Sequence, residues 1–299
     1  MYDYKCVVGF NYFEKAVMLI LEKLTEKFNS IKTLPHVAIR LTKMLSIKKF
    51  SIADYEEVIK YDPALVMRLF RLVNSAFFSL PEKVETISDA ISFAGIDNLR
   101  NMVVVEALRD IFSDGNESEQ FSRKKLWLHS VATAVCARKI AEDIYGIKGE
   151  DSFLCGLLHD IGMVVEHQCL PEKFNTMLLA YDNSDSLFTD HEKTHIGVNH
   201  CETGFWLARS WKLPAVVQFG IRDHHLTQNN VKTSDISSII QLAEFIVARM
   251  GYAIQPEVQP DLPKPLLRHM ENHIRKYQHL LNILPDEIKK TTDVYLSKG

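Results

Sequence analysis

Residues 153–162 read Phe-Leu-Cys-Gly-Leu-Leu-His-Asp-Ile-Gly and lie near the middle of a 299-residue chain. The first six are apolar on every side, which predicts a helix that is buried all round. The run leads directly into His159-Asp160, and burial of an ionised carboxylate costs several kcal/mol unless a cation or hydrogen bonds compensate it. Asp160 therefore needs a partner, unless it lies at a frayed helix end with Gly162 as the C-cap.

Helical periodicity extends outward from this segment in both directions. Between Ala16 and Phe28 the apolar residues recur at offsets of three and four, which is typical of an amphipathic helix. Ser51 followed by Asp54 indicates a capping box, and Asp62-Pro63 places an N-cap residue before a proline in the first helical turn. Strand signals are poor, since no hairpin turn joins two runs of alternating apolar and polar residues. The sequence therefore predicts an all-α protein.

Further helices are expected in the second half of the chain. Their predicted bounds are 124–145, 187–210, 213–225, 236–250, 266–281 and 285–296. A break near Asp114 to Glu119 and four prolines between Gln255 and Pro265 divide the chain. We expect an N-terminal helical extension (1–24), an N-terminal helical half (25–115), a half with the candidate site (116–254), and a Pro-rich linker with C-terminal helices (255–299).

The composition excludes several classes of protein. Hydrophobic residues make up 46% of the chain, enough for a core, and the formal net charge is −3. This balance gives no basic excess for nucleic acid or for an anionic membrane. The longest stretch without Asp, Glu, Lys or Arg has 12 residues, whereas a membrane-spanning helix needs about 20. The first residues fit no secretory signal, and five cysteines without a CxxC pair predict no disulfide framework. We expect a cytoplasmic protein.

Histidines and two carboxylates project from apolar faces of separate predicted helices. His129 shares its helix face with Ala132 and Cys136, for example, and Glu244 interrupts an apolar helix in which an unpaired carboxylate would be costly. The candidate ligands are His129, His159, Asp160, His200, His224, His225 and Glu244.

This set of side chains predicts a metal centre. Mixed imidazole and carboxylate ligands suit Fe, Mn, Zn or Ni, between which the sequence does not distinguish. Five histidines and two carboxylates are too many for one four-coordinate zinc, but a centre with two divalent metals would use them all, with Asp160 as the bridge. The alternative is that the histidines are satisfied inside a metal-free core, with His224-His225 stabilising a helix C-terminus.

The order of these motifs resembles the HD superfamily of helical metal-dependent phosphohydrolases, and in particular its HDOD branch. The HD motifs are His129, Gly156 to Gly162, Asn199-His200 through Gly204, and His224-His225. The HDOD motifs are Leu34-Pro35, Tyr61-Asp62-Pro63, Leu72 to Ser75, Ile87 to Gly95, Glu192 through Gly197 to His200, and Trp211 to Pro214. The resemblance covers about residues 25–250.

The resemblance implies a multi-helix HD-like bundle preceded by an N-terminal helical subdomain, in a bacterial signalling or regulatory protein. It also implies the same seven ligands, with Glu244 where the family carries its last aspartate. Three departures count against catalysis or limit the site. Met163 replaces the lysine of enzymes that cleave cyclic dinucleotides, and the Gly-Tyr-Pro signature is absent after His225. Lys125 replaces the carboxylate that would bind a third metal ion, so two ions are the upper limit.

We therefore expect a regulatory HDOD protein with a two-metal HD-type site. Its expected partners are a regulatory protein and a phosphorylated small ligand. We expect it to bind neither nucleic acid nor a membrane. One alternative is a metal-dependent phosphohydrolase acting on a nucleotide or cyclic dinucleotide, in which Asp160 is the best candidate for a catalytic residue. The other is a metal-free helical scaffold.

Overall fold

The computed structural model describes most of the chain, and every regular element in that part is helical. The described residues are 12–31, 41, 44, 50–74, 83–96, 99, 108, 111–112, 121–181, 186–226, 232–254 and 261–296. This agrees with the predicted all-α class. The expected break at 114–119 and residues 255–260 of the Pro-rich linker lie outside the described residues. No helix in the described ranges is both long and apolar enough to cross a membrane.

The helices follow one another as short segments with few long elements. The α-helices are α1 Tyr12–Ile31, α2 Ile52–Ile59, α3 Pro63–Val73, α4 Ile87–Ala94, α5 Arg123–Lys139, α6 Glu150–Leu158, α7 Ile161–Cys169, α8 Pro171–Tyr181, α9 Phe188–His195, α10 His200–Ser210, α11 Ala215–Asp223, α12 Ile236–Val247, α13 Lys264–Asn272 and α14 Ile274–Leu296. Two π-helical segments, Ile140–Ile144 and Ala248–Tyr252, follow α5 and α12 directly.

The predicted caps of the N-terminal helices are confirmed. The Ser51 backbone N–H donates to Asp54 Oδ2 at 2.7 Å, and the Asp54 N–H donates to Ser51 Oγ at 3.4 Å. This reciprocal pair satisfies two donors that helix geometry leaves without partners. Similarly, the Leu65 N–H donates to Asp62 Oδ1 at 3.0 Å in the first turn of α3, which begins at Pro63.

The prediction of one continuous helix over 187–210 is wrong. The chain leaves the helix after His195, and Gly197 adopts a left-handed φ of 97° that favours glycine. Asn199 then caps α10, since its side chain accepts from the Glu202 N–H at 2.9 Å while Glu202 accepts from the Asn199 N–H at 3.1 Å. The apolar spacing continues across the break, which is why periodicity alone predicted one helix.

Other predicted bounds also differ from the structure. The helices expected over 124–145 and 236–250 both change to π-helical geometry in their last turn. The C-terminal pair divides at His273, so the first helix ends about two turns earlier than predicted. Pro285 lies inside α14 and does not begin a helix. A proline can be accommodated within a helix at the loss of one hydrogen bond, so Pro285 does not have to mark the start of one.

Helix α5 lies at the centre of the bundle and is buried along most of its length. It packs against α6, α12 and α14, while α10 packs against α1, α7 and α11. Two glycines permit the close approaches that matter for the site. A Cβ at Gly156 would meet the Ala134 backbone of α5, and a Cβ at Gly162 would collide with the His200 backbone of α10. The junction between α6 and α7 is thereby pressed against both α5 and α10.

Candidate metal centre

The seven predicted ligands come from five places in the fold. His129 lies within α5, His159 and Asp160 join α6 to α7, His200 begins α10, His224 and His225 follow α11, and Glu244 lies within α12. All are buried except His225, which is exposed. The structure brings their side chains together in two adjoining groups.

The first group consists of His129, His159, Asp160 and Glu244, whose ligand atoms lie within 4.8 Å of one another. The Nε2 atom of His159 is central, at 3.1 Å from Asp160 Oδ2 and 3.5 Å from Glu244 Oε1. His129 Nε2 lies 3.2 Å from His159 Nε2 and 3.6 Å from Asp160 Oδ2. His159 is therefore the partner that the buried carboxylate of Glu244 was expected to need.

The second group consists of His200, Cys201, His224 and His225, whose ligand atoms also lie within 4.8 Å of one another. His200 Nε2 lies 3.4 Å from His224 Nε2. These two atoms lie 3.4 and 3.6 Å from Asp160 Oδ1, respectively. The group therefore faces the oxygen of Asp160 that the first group does not use.

Asp160 joins the two groups, with Oδ2 directed to His129 and His159 and Oδ1 to His200 and His224. Its side chain is buried, and Gly162 lies in the first turn of α7 against His200. The alternative of a frayed helix end with a Gly162 C-cap is therefore wrong.

Hydrogen bonds outside the cluster fix the orientation of four of the imidazoles. The Nδ1–H groups donate to backbone carbonyls in three cases: His129 to Tyr252, His159 to Gly156, and His224 to Ile221. His200 Nδ1–H donates to the buried carboxylate of Glu192, with 2.7 Å to Oε2. When Nδ1 is the donor, the Nε2 lone pair of a neutral ring points into the cluster, as in most histidine metal sites.

The donor atoms fit metal ions. In neutral rings held in this way, two Nε2 acceptor atoms face each other. The Nε2–Nε2 distance is 3.2 Å for His129 and His159 and 3.4 Å for His200 and His224. Only a positive charge between such atoms makes these contacts favourable. Metal–nitrogen distances of about 2.0–2.1 Å place tetrahedral ligands roughly 3.3 Å apart, close to these separations.

The electrostatics of the cluster lead to the same conclusion. Burial would raise the pKa of Asp160, but the surrounding imidazoles, His159 above all, hold it well below its usual range. Burial would likewise raise the pKa of Glu244, but His159 and its neighbours lower it to about 2. The pKa of His159 is raised well above its ordinary value because these two carboxylates outweigh the effect of burial. Two buried carboxylates thus require positive charge, supplied by protons or by metal ions.

Sequence reasoning missed two residues at this site. Cys201 belongs to the second group, and the only sequence signal for it was its position next to His200. Glu166 is fully buried in α7, where it accepts from Thr203 Oγ1 at 2.9 Å, and burial and Glu192 raise its pKa well above the usual range. The signal that could have identified Glu166 is its position directly after the apolar run Ile161 to Val165.

Fold and site together define an all-helical protein with a buried histidine–carboxylate cluster able to hold metal ions. The chain belongs to the HDOD domain family, whose model matches residues 31–227. An uncharacterized protein of Treponema pallidum is 31% identical over 210 residues, which cover 68% of this chain and 39% of that protein. The chain therefore spans about two-fifths of the length of this relative.

Solved structures share the fold. A protein of Marinobacter aquaeolei named "Putative signal transduction protein" has a TM-score of 0.73 at 18% identity, covering 98% of this chain and 68% of the other. A protein of Shewanella amazonensis named "Putative phosphohydrolase" has a TM-score of 0.66 at 22% identity, covering 93% and 96%. At these identities the likeness concerns the fold, and the two names attach different roles to it.

Proposed function

We propose that this chain holds two divalent metal ions and acts as a regulatory signalling protein whose state depends on the occupancy of that centre. The observation that supports the proposal most strongly is the division of Asp160 between two groups of imidazoles. One ion would be held by His129, His159 and Glu244 with Asp160 Oδ2. The other would be held by His200, His224 and His225 with Asp160 Oδ1.

The protein side chains prepare the site before any ion arrives. The outer hydrogen bonds hold the rings with Nε2 inward, so little reorganisation is needed on binding. Asp160 and Glu244 supply negative charge, so the site attracts a divalent cation more strongly than imidazoles alone would. When bound, divalent ions would supply Lewis acidity toward an oxygen of a phosphorylated ligand. Fe, Mn, Zn and Ni all suit these donors, and we assign none of them.

A regulatory role is favoured over hydrolysis by two features of the described residues. Met163 is 6% exposed and belongs to the core, so that position offers no cation to a phosphate group. His225 alone among the seven candidate ligands is exposed, which limits access to one side of a mostly closed cluster. Such a site suits the sensing of an ion or of one phosphate group, with a regulatory protein partner as the output. Residues 227–231, in place of the Gly-Tyr-Pro signature, lie outside the described residues.

The second candidate function is a metal-dependent phosphohydrolase. It is favoured by the complete ligand set and by the bridging position of Asp160, since a two-metal site commonly stabilises the attacking and leaving oxygens of a phosphoryl transfer. Asp160 would then be the residue on which activity depends most directly.

Metal analysis combined with an activity panel tests the proposal. Purified protein and the variants Asp160→Ala and Asp143→Ala are analysed for transition metals, since Asp143 is an exposed aspartate away from the cluster. We expect close to two ions per chain in the parent and in Asp143→Ala, and less than one in Asp160→Ala. Parent protein with well under one ion per chain would overturn the proposal. Rapid turnover of nucleotides or cyclic dinucleotides would favour the second candidate.

A further inference from the structure

Cys201 lies among the imidazoles of the second group. It is the second residue of α10 and is 3% exposed. Its Sγ lies 3.5 Å from His200 Nε2 and 4.0 Å from His224 Nε2. Both of these nitrogens belong to rings whose Nδ1–H is already used in a hydrogen bond, so each Nε2 of a neutral ring is an acceptor beside the sulfur.

Other buried cysteines have a different environment. Cys155 Sγ lies 3.9 Å from the Val217 carbonyl and Cys169 Sγ lies 3.7 Å from the Leu24 carbonyl, so each thiol has a backbone oxygen to which it can donate. Cys136 is packed in the core on α5. Among these described cysteines, Cys201 is the one grouped with three histidines in an arrangement that could hold a metal ion.

The distances agree with a shared metal ion. Typical bond lengths are about 2.3 Å for zinc–sulfur and about 2.0–2.1 Å for zinc–nitrogen, so sulfur and nitrogen ligands of one tetrahedral ion lie roughly 3.5 Å apart. The separations of Cys201 Sγ from His200 and His224 are 3.5 and 4.0 Å. Asp160 Oδ1 lies 3.4 Å from His200 Nε2 and 3.6 Å from His224 Nε2, so the sulfur adjoins the same two nitrogens that face this oxygen.

We infer that Cys201 is a ligand of the second metal ion, so that the two positions of the centre differ chemically. This inference rests on the proposed function, because it requires that the cluster bind metal. The first position offers imidazole and carboxylate only, which suits Mn or Fe as well as Zn. The second position adds a thiolate, a softer donor that favours Zn or Fe over Mn. The centre would therefore take up metals unequally, with the position nearer Cys201 retaining Zn when Mn is the competitor.

X-ray absorption at the zinc edge tests the inference on the zinc-loaded 299-residue chain, with the zinc content measured on the same sample. We expect a sulfur shell at about 2.3 Å, with roughly 0.5 sulfur per zinc when two ions share one cysteine. Cys201→Ser should lose this shell, whereas Cys169→Ser should keep it. Cys169 is a fair control because it is equally buried and a serine hydroxyl can donate to the same carbonyl.

The possible outcomes separate the inference from the function on which it rests. Zinc bound at about two per chain with nitrogen and oxygen neighbours only would overturn the role of Cys201 and leave the metal centre intact. Protein that binds no zinc would overturn both. The parent spectrum decides the presence of sulfur even where Cys201→Ser fails to fold, and a sulfur shell that also persists in folded Cys201→Ser would assign the ligand to another cysteine and overturn the inference.

Discussion

Glu192 Oε2 lies 2.7 Å from Nδ1 of His200, and both side chains are buried. The Glu192 backbone belongs to α9 and that of His200 to α10, so this contact spans the break at Gly197. The His200 backbone N–H also donates to the same carboxylate, at 3.2 Å. Glu192 thus holds the ring of His200 with its Nε2 toward Asp160, as an outer carboxylate does for a histidine ligand.

The first prediction concerns this pair. Glu192→Gln should weaken metal binding by about 10- to 100-fold. The neutral amide raises the basicity of the His200 ring less than a carboxylate does, and its NH₂ group can donate to Nδ1, which would leave the ring proton on Nε2, the atom that faces the metal. Competition against a chelator of known affinity measures the change. Glu172→Gln, on the exposed side of α8, is the control and should bind as the parent does. An unchanged affinity in Glu192→Gln would remove Glu192 from the account.

The second prediction concerns the approach of α7 to α10. Gly162→Ala should destabilise the protein by about 3 kcal/mol or more, because its Cβ would collide with the His200 backbone, which cannot yield without moving the ligand. Gly204→Ala is the matched control, since its Cβ would lie 3.0 Å from the Ile221 side chain and no closer than 3.4 Å to a backbone atom, that of Gly162 N. Thermal melts and metal content are measured on both. Equal stability and equal metal content in the two variants would contradict the prediction.

The third prediction concerns pH and lies away from the metal cluster. Burial and the neighbouring Arg123 lower the pKa of His167 from 6.5 to about 4. The unfolded chain therefore binds this proton more readily than the folded chain does. The contribution of neutral His167 to the free energy of unfolding is fully present above about pH 6.5 and is lost as the pH drops toward 4, by up to ~3 kcal/mol. Arg123 Nε–H donates to His167 Nδ1 at 3.3 Å, a bond that protonation of Nδ1 would abolish.

His167→Gln tests this dependence. The amide oxygen can still accept from Arg123 but does not titrate, so the loss of stability between pH 6.5 and 4 should be smaller than in the parent. Urea unfolding at several pH values gives the slope, with His279→Gln, an exposed position on α14, as the control. A slope unchanged in His167→Gln would show that other groups cause the acid sensitivity.

The fourth prediction concerns catalysis. Manganese- or iron-loaded protein should turn over cyclic di-GMP and its linear product far more slowly than the median enzyme rate of ~10 s⁻¹. Hydrolysis needs donors placed to hold the phosphate in line and to match its charge, and the buried Met163 supplies none. The assay compares parent and Asp160→Ala. Turnover near the median rate in the parent, abolished in Asp160→Ala, would support the phosphohydrolase instead.

Much of the fold and the convergence of the candidate ligands could be predicted from the sequence. Apolar spacing of three and four residues identified the helices, and the cost of burying Asp160 and Glu244 indicated that histidines must converge on them. The break at Gly197 could not be predicted in this way, because the apolar spacing of Ile196 and His200 continues across it. Glu192 contacts His200 across this break, because the turn at Gly197 brings the end of α9 against the start of α10.

Two features depend on three-dimensional neighbours and escaped the sequence analysis for that reason. A lone cysteine such as Cys201 shows no ligand spacing of its own, and only the approach of α10 to the end of α11 places it beside His224. Glu166 of α7 and Glu192 of α9 are both buried, and burial together with the nearby Glu192 raises the pKa of Glu166, a proximity that the sequence did not specify. Local pattern predicts which residues need partners, while helix packing determines which partner each one obtains.

Anomalous diffraction from crystals of the metal-loaded protein locates the ions of the proposed two-metal centre. We expect two peaks about 3.5–4 Å apart, one on each side of the Asp160 carboxylate, with His129 and His159 beside one and His200 and His224 beside the other. A single peak, or none, within this cluster in protein that was saturated with metal would contradict it.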